Sequence, residues 1–146
     1  MRTRLTDPLR SQRGQALIEM AMVVTLLVTL SIGIIETGRA FMVLNMITNI
    51  TRDAARLGAG APPASRDVNG NLLAATKTTI RGQITTQVAA VDATTTITPA
   101  PLVDQVAVGG LNVVRVTVTG SVPLMFNLLG GPITVNRVAT FRDEGK

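Results

Sequence analysis

The stretch from Met20 to Ile35 is sixteen residues long and carries no charged side chain, and it constrains the fold more than any other feature. Ala16, Leu17 and Ile18 extend it to about the twenty apolar residues that cross a hydrocarbon layer of ~30 Å. A helix that is apolar on every side is typical of a membrane span or a deeply buried position. The segment therefore predicts a membrane helix, and one acid, Glu19, lies near its start.

A short basic arm precedes this helix. Residues 1–14 carry four arginines and one aspartate, which accounts for much of the formal net charge of +5. Nucleic-acid-binding proteins more often spread their basic residues over a face of the fold. A basic arm beside an apolar span instead follows the positive-inside rule for a cytoplasmic flank. We therefore expect a membrane partner and no nucleic acid.

Three ordinary interpretations of the apolar segment remain open. A secretory signal peptide would need a small-x-small cleavage site, and Glu36 and Arg39 crowd the only candidate. A signal anchor fits the length but leaves Glu19 unexplained. A buried helix of a soluble protein fits neither the length nor the basic flank well.

A fourth interpretation explains the acid. A carboxylate in hydrocarbon costs roughly 2.5 kcal/mol or more, and such residues usually have a functional partner. If the chain is cut between Gly14 and Gln15, the new α-amine of one copy could pair with Glu19 of a staggered neighbour. The alternative is that Glu19 extends toward the head groups of the lipid, because it lies near the end of the span.

The motif "RGQALIE" resembles the processing site of type IV pilin precursors, with Glu19 at the fifth mature position. The sequence that follows is similar to TadE-like pilins of tight-adherence (Tad) systems. Two short motifs carry this similarity. The first is an acid-x-Gly-Arg step, formed by Glu36, Gly38 and Arg39, and the second is an Ala-Ala-Arg-x-Gly-Ala step, formed by Ala54, Ala55, Arg56, Gly58 and Ala59. The resemblance covers about residues 10–60. Gln15 departs from the aromatic residue that many type IV pilins have at this place.

The resemblance implies a structural pilin that assembles by bundling of its N-terminal helices and serves surface adherence. It further implies cleavage by a prepilin peptidase, a precursor in the inner membrane, and export by the pilus assembly machinery into an extracellular homopolymeric filament. Two alternatives remain open. The chain could be a minor pilin that primes or tips the fibre, or an uncleaved, single-span binding module.

Composition argues against an enzyme. The chain has no histidine and no cysteine, which excludes His-based acid–base catalysis, cysteine nucleophiles and Cys/His zinc sites. Asp67, Asp92 and Asp104 lack the spacing of a calcium loop. We see no convergent polar cluster in residues 60–146 that would build a ligand pocket. We therefore expect no catalytic residue, metal or cofactor.

The helical pattern continues beyond the span. Phe41, Leu44, Ile47 or Thr48, and Thr51 follow at three-to-four spacing, which predicts one helix from about residue 15 to 57 with a buried face in its second half. Glycines 58 and 60 and two prolines supply the stop.

Four charged residues of this helix are candidates for surface contacts. Glu36 and Arg39 are three apart and can pair on the helix surface. Arg52 and Arg56 indicate a charged exposed face, which is either solvated or in contact with another subunit.

Residues 58–146 predict a small head domain. Residues 71–91 favour an amphipathic helix that packs on strands, with Asn71 as its N-cap, and four threonines leave a strand as the alternative. Residues 102–108, 111–122 and 133–141 predict antiparallel strands, with a tight hairpin at Gly109-Gly110. Residues 123–130 predict a single helical turn. The fold class is therefore α+β, with a leader (1–14), a core helix (15–57) and a head (58–146) that has three to four strands.

Overall fold

The computed structural model describes residues 8–126 and 130–143, and it confirms the α+β class. The elements are α1 (Pro8–Ala59), a 3-10 turn (Pro63–Ser65), α2 (Ala74–Val91), β1 (Thr96–Ile97), β2 (Leu102–Val108), β3 (Leu111–Val122) and β4 (Ile133–Arg142). The chain divides into two compact units between Thr37 and Gly38. The first unit contains the apolar part of α1, and the second contains the rest of α1 and the head.

α1 is one uninterrupted helix of 52 residues, which corresponds to about 78 Å at 1.5 Å per residue. The start predicted at about residue 15 is wrong, because the helix already begins at Pro8 and passes through Gly14 without a break. Proline is tolerated in the first turn of a helix, and no other proline precedes Pro62. The helix ends within two residues of the predicted end.

The buried face of α1 in the second unit consists of small and β-branched residues. Its fully or nearly buried members are Ala40, Val43, Ile47, Thr51, Ala54, Ala55 and Ala59. The expectation that Phe41 belongs to this face is wrong, since its side chain is 63% exposed. The helix turns these small and β-branched side chains toward the head, which lets the backbone of α1 approach the backbone of the head closely.

β3 is the central strand of an antiparallel sheet. Along one edge it pairs first with β2 and then, near its end, with the two-residue strand β1, while β4 pairs along the other edge. The predicted hairpin between β2 and β3 is confirmed. Gly109 and Gly110 have φ of 59° and 78°, the left-handed pair that a two-residue turn needs and that glycine adopts without strain.

α2 begins three residues later than predicted, and Leu73 is its N-cap residue without a side-chain cap. The prediction that Asn71 caps the helix is wrong. Asn71 instead donates from its backbone amide and its side chain to the carboxylate of Asp67, which closes a local turn. Ile80, Ile84 and Val88 form the buried stripe of α2.

One hydrophobic cluster joins α1, α2 and the inner face of the sheet. Its strand members are valines and one alanine: Val103, Val114, Val116, Val118, Val122, Val135 and Ala139. Arg137 interrupts this face on β4, and its Nε donates to the hydroxyl of Thr48 on α1 at 3.0 Å. Residues 123–126 form no helical turn, and the remainder of that predicted turn includes residues 127–129, outside the described chain.

Gly58 marks the closest approach of α1 to the sheet. A Cβ at this position would lie 2.8 Å from Val114 Cγ1 and 3.5 Å from both Ile80 Cδ1 and Leu72 Cδ1. Contacts of 2.8 Å do not occur between packed carbon atoms, so any larger residue requires the Val114 side chain or its strand to shift. The Ala-Ala-Arg-x-Gly-Ala step thus has a structural reason: its small residues face the core while Arg56 is exposed.

We expect Gly58→Ala to destabilise the head although alanine is the better helix former. Overpacking costs about 1–3 kcal/mol, and replacing an exposed helical glycine by alanine recovers only about 0.5–1 kcal/mol. Gly82→Ala in α2 is the matched control, since a Cβ there meets nothing within 4 Å. Thermal unfolding of the detergent-solubilised chain should show a lower Tm for Gly58→Ala and an unchanged or higher Tm for Gly82→Ala. Equal increases in both variants would contradict the close contact.

Candidate assembly site on the N-terminal helix

The first unit exposes an almost entirely apolar helix surface. All described side chains from Gly14 to Ser31 are exposed, and the large ones are 46–70% exposed. They are Leu17, Ile18, Met20, Met22, Val23, Val24, Leu26, Leu27, Val28 and Leu30. Soluble monomers rarely leave a contiguous apolar surface of this size uncovered. This surface therefore needs lipid or other protein chains around it.

Glu19 is the one charged side chain between residues 14 and 35. It lies one turn after Gln15, and the Gln15 side-chain amide donates from Nε2 to Glu19 Oε1 at 3.1 Å. Both side chains are exposed. The carboxylate therefore lies within the first turns after the proposed cut, on a surface that a neighbouring molecule can reach.

The hydroxyl groups of the apolar segment are satisfied by the helix itself. The hydroxyls of Thr25, Thr29 and Ser31 each donate to the carbonyl four residues earlier, at 2.8 Å. Such bonds leave an essentially apolar outer surface. Glu19 therefore differs from these residues in kind, because its charge is not removed by a bond to its own backbone.

Arg39 fastens α1 to two loops of the head. Its Nη2 lies 2.8 Å from Asp92 Oδ2 in an ion pair and 3.0 Å from Thr94 Oγ1, and its Nη1 donates to the carbonyl of Pro123 at 3.3 Å. Asp92 and Thr94 follow α2, whereas Pro123 follows β3. The arginine of the acid-x-Gly-Arg step is thus a structural anchor within the second unit.

Asp92 is the acceptor on which this anchor depends. Partial burial raises the pKa of its carboxyl, but the Thr94 hydroxyl and amide, the Thr95 hydroxyl and the charge of Arg39 together hold that pKa below its ordinary value. The ionised carboxylate is therefore the form that the folded head stabilises.

The remaining predicted surface residues lie in different environments. Arg52 and Arg56 are exposed on α1, on the side away from its buried face. Glu36 is 3% exposed and therefore does not lie on a solvated surface. Its pairing with Arg39 stays a prediction, as does the contact of Arg52 and Arg56 with another subunit.

Arg66 forms a buried network that sequence reasoning missed. Its guanidinium lies at the C-terminal end of α1, where it donates to the carbonyls of Gly58, Ala59 and Ala61 at 3.1–3.3 Å. Nη2 and Nη1 also lie 2.7 and 3.0 Å from the two carboxylate oxygens of Asp143. The side chains are 3% and 5% exposed. One cation thus satisfies the last carbonyls of the helix and holds the last described residue of the chain.

A polar cleft of about 280 Å³ lies beside this network. Its lining includes Asn69, Asn71, Gln105, Asn112 and Asp143. The Gln105 amide already donates to Asp143 Oδ2 at 2.6 Å and accepts from the Leu72 amide at 2.6 Å. The cleft is below the usual size of ligand pockets, and its inner polar groups are committed to the fold.

Comparison with known protein families identifies the first helix. Residues 14–56 match the family model described as TadE-like protein. The resemblance inferred from the sequence is confirmed for this segment. Searches of curated proteins and of solved structures gave no match.

Within the described residues, one helix is long and apolar enough to cross a membrane, from Gly14 to Ala59, judged by length and composition. The family match ends at Arg56, near the C-terminus of α1. It therefore includes the apolar surface, Glu19, the Arg39 anchor and most of the small-residue face. The strands and α2 lie outside the matched segment.

We expect Arg66→Met to be among the most damaging single substitutions in the head. It leaves the Asp143 carboxylate buried without its cation, a change that typically costs about 3–5 kcal/mol. Denaturant unfolding in detergent should show this loss, and Asp143→Asn in the same chain should restore part of it. Arg142→Met is the control, because Arg142 is exposed and directly precedes Asp143. It should change the free energy of unfolding by no more than about 0.5 kcal/mol. Equal effects of Arg66→Met and Arg142→Met would contradict the role of the network.

We also expect acid to weaken the Arg39–Asp92 anchor. Because the folded state lowers the pKa of Asp92, its contribution is complete above the unfolded pKa of about 3.9 and is lost as the pH falls through the folded value. Tm should therefore fall more steeply with pH below about 4 in the wild type than in Asp92→Asn. Asp67, whose pKa is lowered chiefly by the backbone amide of Asn71, adds to the same trend and remains in the variant. Parallel Tm profiles in the two proteins would exclude the anchor as a source of acid sensitivity.

Proposed function

We propose that this TadE-like chain is a structural pilin of a Tad-type filament, made as a membrane precursor and cut between Gly14 and Gln15. The observation that carries the proposal is Glu19, a single carboxylate within the apolar segment 14–31, whose side chains are all exposed. The family match over the same helix supports it. The chain needs no catalytic residue, cofactor or metal for this role.

The physical argument begins with the precursor. An apolar helix with a basic N-terminal arm is stable in the inner membrane, where the arm stays on the cytoplasmic side. Glu19 is near the cytoplasmic end of that span, so its carboxylate can reach the head-group region. The precursor can therefore remain in the membrane while the Glu19 carboxylate is solvated.

Cleavage changes the charge at that end of the helix. Removal of residues 1–14 takes away the basic arm and leaves a single α-ammonium group on Gln15. In a bundle of staggered helices, the ammonium of one copy can pair with Glu19 of its neighbour. Opposite charges attract strongly in an apolar core, and each removes the cost of burying the other.

The same apolar surface then packs against other copies instead of lipid. Burial of the exposed leucines, valines and methionines supplies the attraction between helices, and the charge pair sets their stagger. A misplaced neighbour would leave two buried charges unpaired. In this proposal the filament is extracellular and serves adherence, with the peptidase and the inner-membrane assembly machinery as partners.

The first test is the N-terminus of the secreted protein. Intact-mass analysis of sheared filaments should find a chain that starts at Gln15. Glu19→Ala should abolish or strongly reduce filaments while the protein stays in the membrane, because the assembled core would contain an unpaired ammonium. Thr25→Ala is the control, since the Thr25 hydroxyl is already satisfied within its own helix, and that variant should form filaments.

Two results would redirect the proposal. A chain in the shear fraction that starts at Met1, or one retained entirely with membranes, would favour the uncleaved binding module. Normal piliation in Glu19→Ala would remove the charge pair from the mechanism. The ratio of this chain to other fibre components separates a main subunit from a minor one.

A further inference from the structure

A glutamine at the start of a mature chain raises a chemical problem that most residues do not. When its α-amine is free and neutral, the nitrogen lone pair can attack the side-chain amide carbon Cδ. The new N–Cδ bond closes a five-membered lactam, the Cδ–Nε2 bond breaks, and a proton moves from the amine to Nε2, which leaves as ammonia. No oxidant or co-reactant is needed. The product has no basic amine.

This reaction would defeat the assembly proposed above, on which the present inference rests. A lactam nitrogen is neutral, so a cyclised Gln15 could not offer an ammonium group to Glu19 of a neighbouring copy. The buried carboxylate would then lose its cation. A chain that begins with glutamine therefore needs some device that keeps the side chain away from its own backbone nitrogen.

The structure contains such a device within the first turn. Gln15 Nε2 donates to Glu19 Oε1 at 3.1 Å. Residues four apart are neighbours on one helix face. The carboxamide is therefore directed along the helix toward its C-terminus, whereas the backbone nitrogen of residue 15 points toward the N-terminus. The side chain cannot donate to Glu19 and close on its own nitrogen at the same time.

We propose that Glu19 is a positioning residue for Gln15, holding the Gln15 carboxamide within the same chain and thereby keeping the mature N-terminus open. Glu19 then has two roles in the mature chain. Within its own chain it protects the amine-bearing residue, and across the filament it accepts the amine of a neighbour. A carboxylate has two oxygens and about four acceptor sites, so both contacts can coexist.

The test compares the rate of ammonia loss in three full-length proteins. A site-specific protease site placed directly before Gln15 generates the mature N-terminus in detergent micelles, independently of the cellular peptidase. The proteins are wild type, Glu19→Leu, which has no acceptor, and Glu19→Gln, which keeps an acceptor oxygen at the same distance from the backbone. Intact-mass spectrometry over time reports the cyclised fraction.

We expect Glu19→Leu to cyclise about three- to tenfold faster than wild type, the factor that corresponds to a typical net hydrogen bond. Glu19→Gln should stay close to wild type. Equal rates in wild type and Glu19→Leu would overturn the inference. A rate in Glu19→Gln as high as in Glu19→Leu would also overturn it, because the protection would then come from charge rather than from the hydrogen bond to the carboxamide.

Native filaments provide the second measurement, which separates this inference from the proposed function. Filaments whose subunits begin at an intact Gln15 agree with both. Subunits that begin at residue 15 but have lost one ammonia would overturn the protective role of Glu19 while leaving cleavage and assembly in place. Subunits that begin at Met1 would instead overturn the proposed function.

Discussion

One helix must satisfy two different environments, and the rest of the structure depends on that constraint. Between Gly14 and Ser31 every described side chain of α1 is exposed and nearly all are apolar, whereas from Ala40 to Ala59 the same helix supplies one side of a packed core. Both parts belong to one helix. Only the side-chain pattern changes along the helix. The first part is apolar on every side, whereas the second part has a narrow stripe of small residues that faces the head.

The head has a small hydrophobic core, and ion pairs add further contacts between the head and α1. Valine and alanine dominate the core cluster, and no aromatic side chain belongs to it. Each such residue buries little area, so the cluster alone supplies limited stabilisation. Arg39 and Arg66 act at the two ends of the helical segment that carries the head. One ties α1 to the loops after α2 and β3, and the other closes its C-terminus against Asp143.

The sequence was informative where a single rule decides the conformation. Alternating valines and a Gly-Gly pair predicted β2, β3 and their turn, and the apolar run predicted the first helix. It was uninformative where two rules compete. Phe41 fits the hydrophobic spacing of the buried face, but its side chain is exposed and the smaller neighbours Ala40 and Val43 are the buried residues at this turn of α1. Asn71 is a good cap by type, yet the carboxylate of Asp67 engages it first.

Arg66 could not be found by those rules, because an arginine in a Gly/Pro-rich loop is ordinarily a solvated one. Its role depends on Asp143, which is 77 residues away in sequence. The candidate site shows the opposite situation. Gln15 and Glu19 are four residues apart in a helix that the sequence itself predicts, so their contact could have been anticipated from spacing. Spacing alone does not reveal the order of events in the proposed mechanism, in which Glu19 gains a second partner, the ammonium group of a neighbouring copy, after the leader is removed.

That order follows from where each donor exists. Before the proposed cut, residue 15 carries a peptide bond on its nitrogen, so its carboxamide is the donor that residue 15 can offer to Glu19. After the cut the same residue also carries an ammonium group, which is charged and attracts a carboxylate more strongly than an amide does. The ammonium of a chain lies at the positive end of its own helix dipole, where it is disfavoured, and it therefore gains by approaching an acid on another copy. In the proposed mechanism the carboxamide contact within one chain therefore exists before and after the cut, and the ammonium contact between chains is added to it only when the leader has been removed.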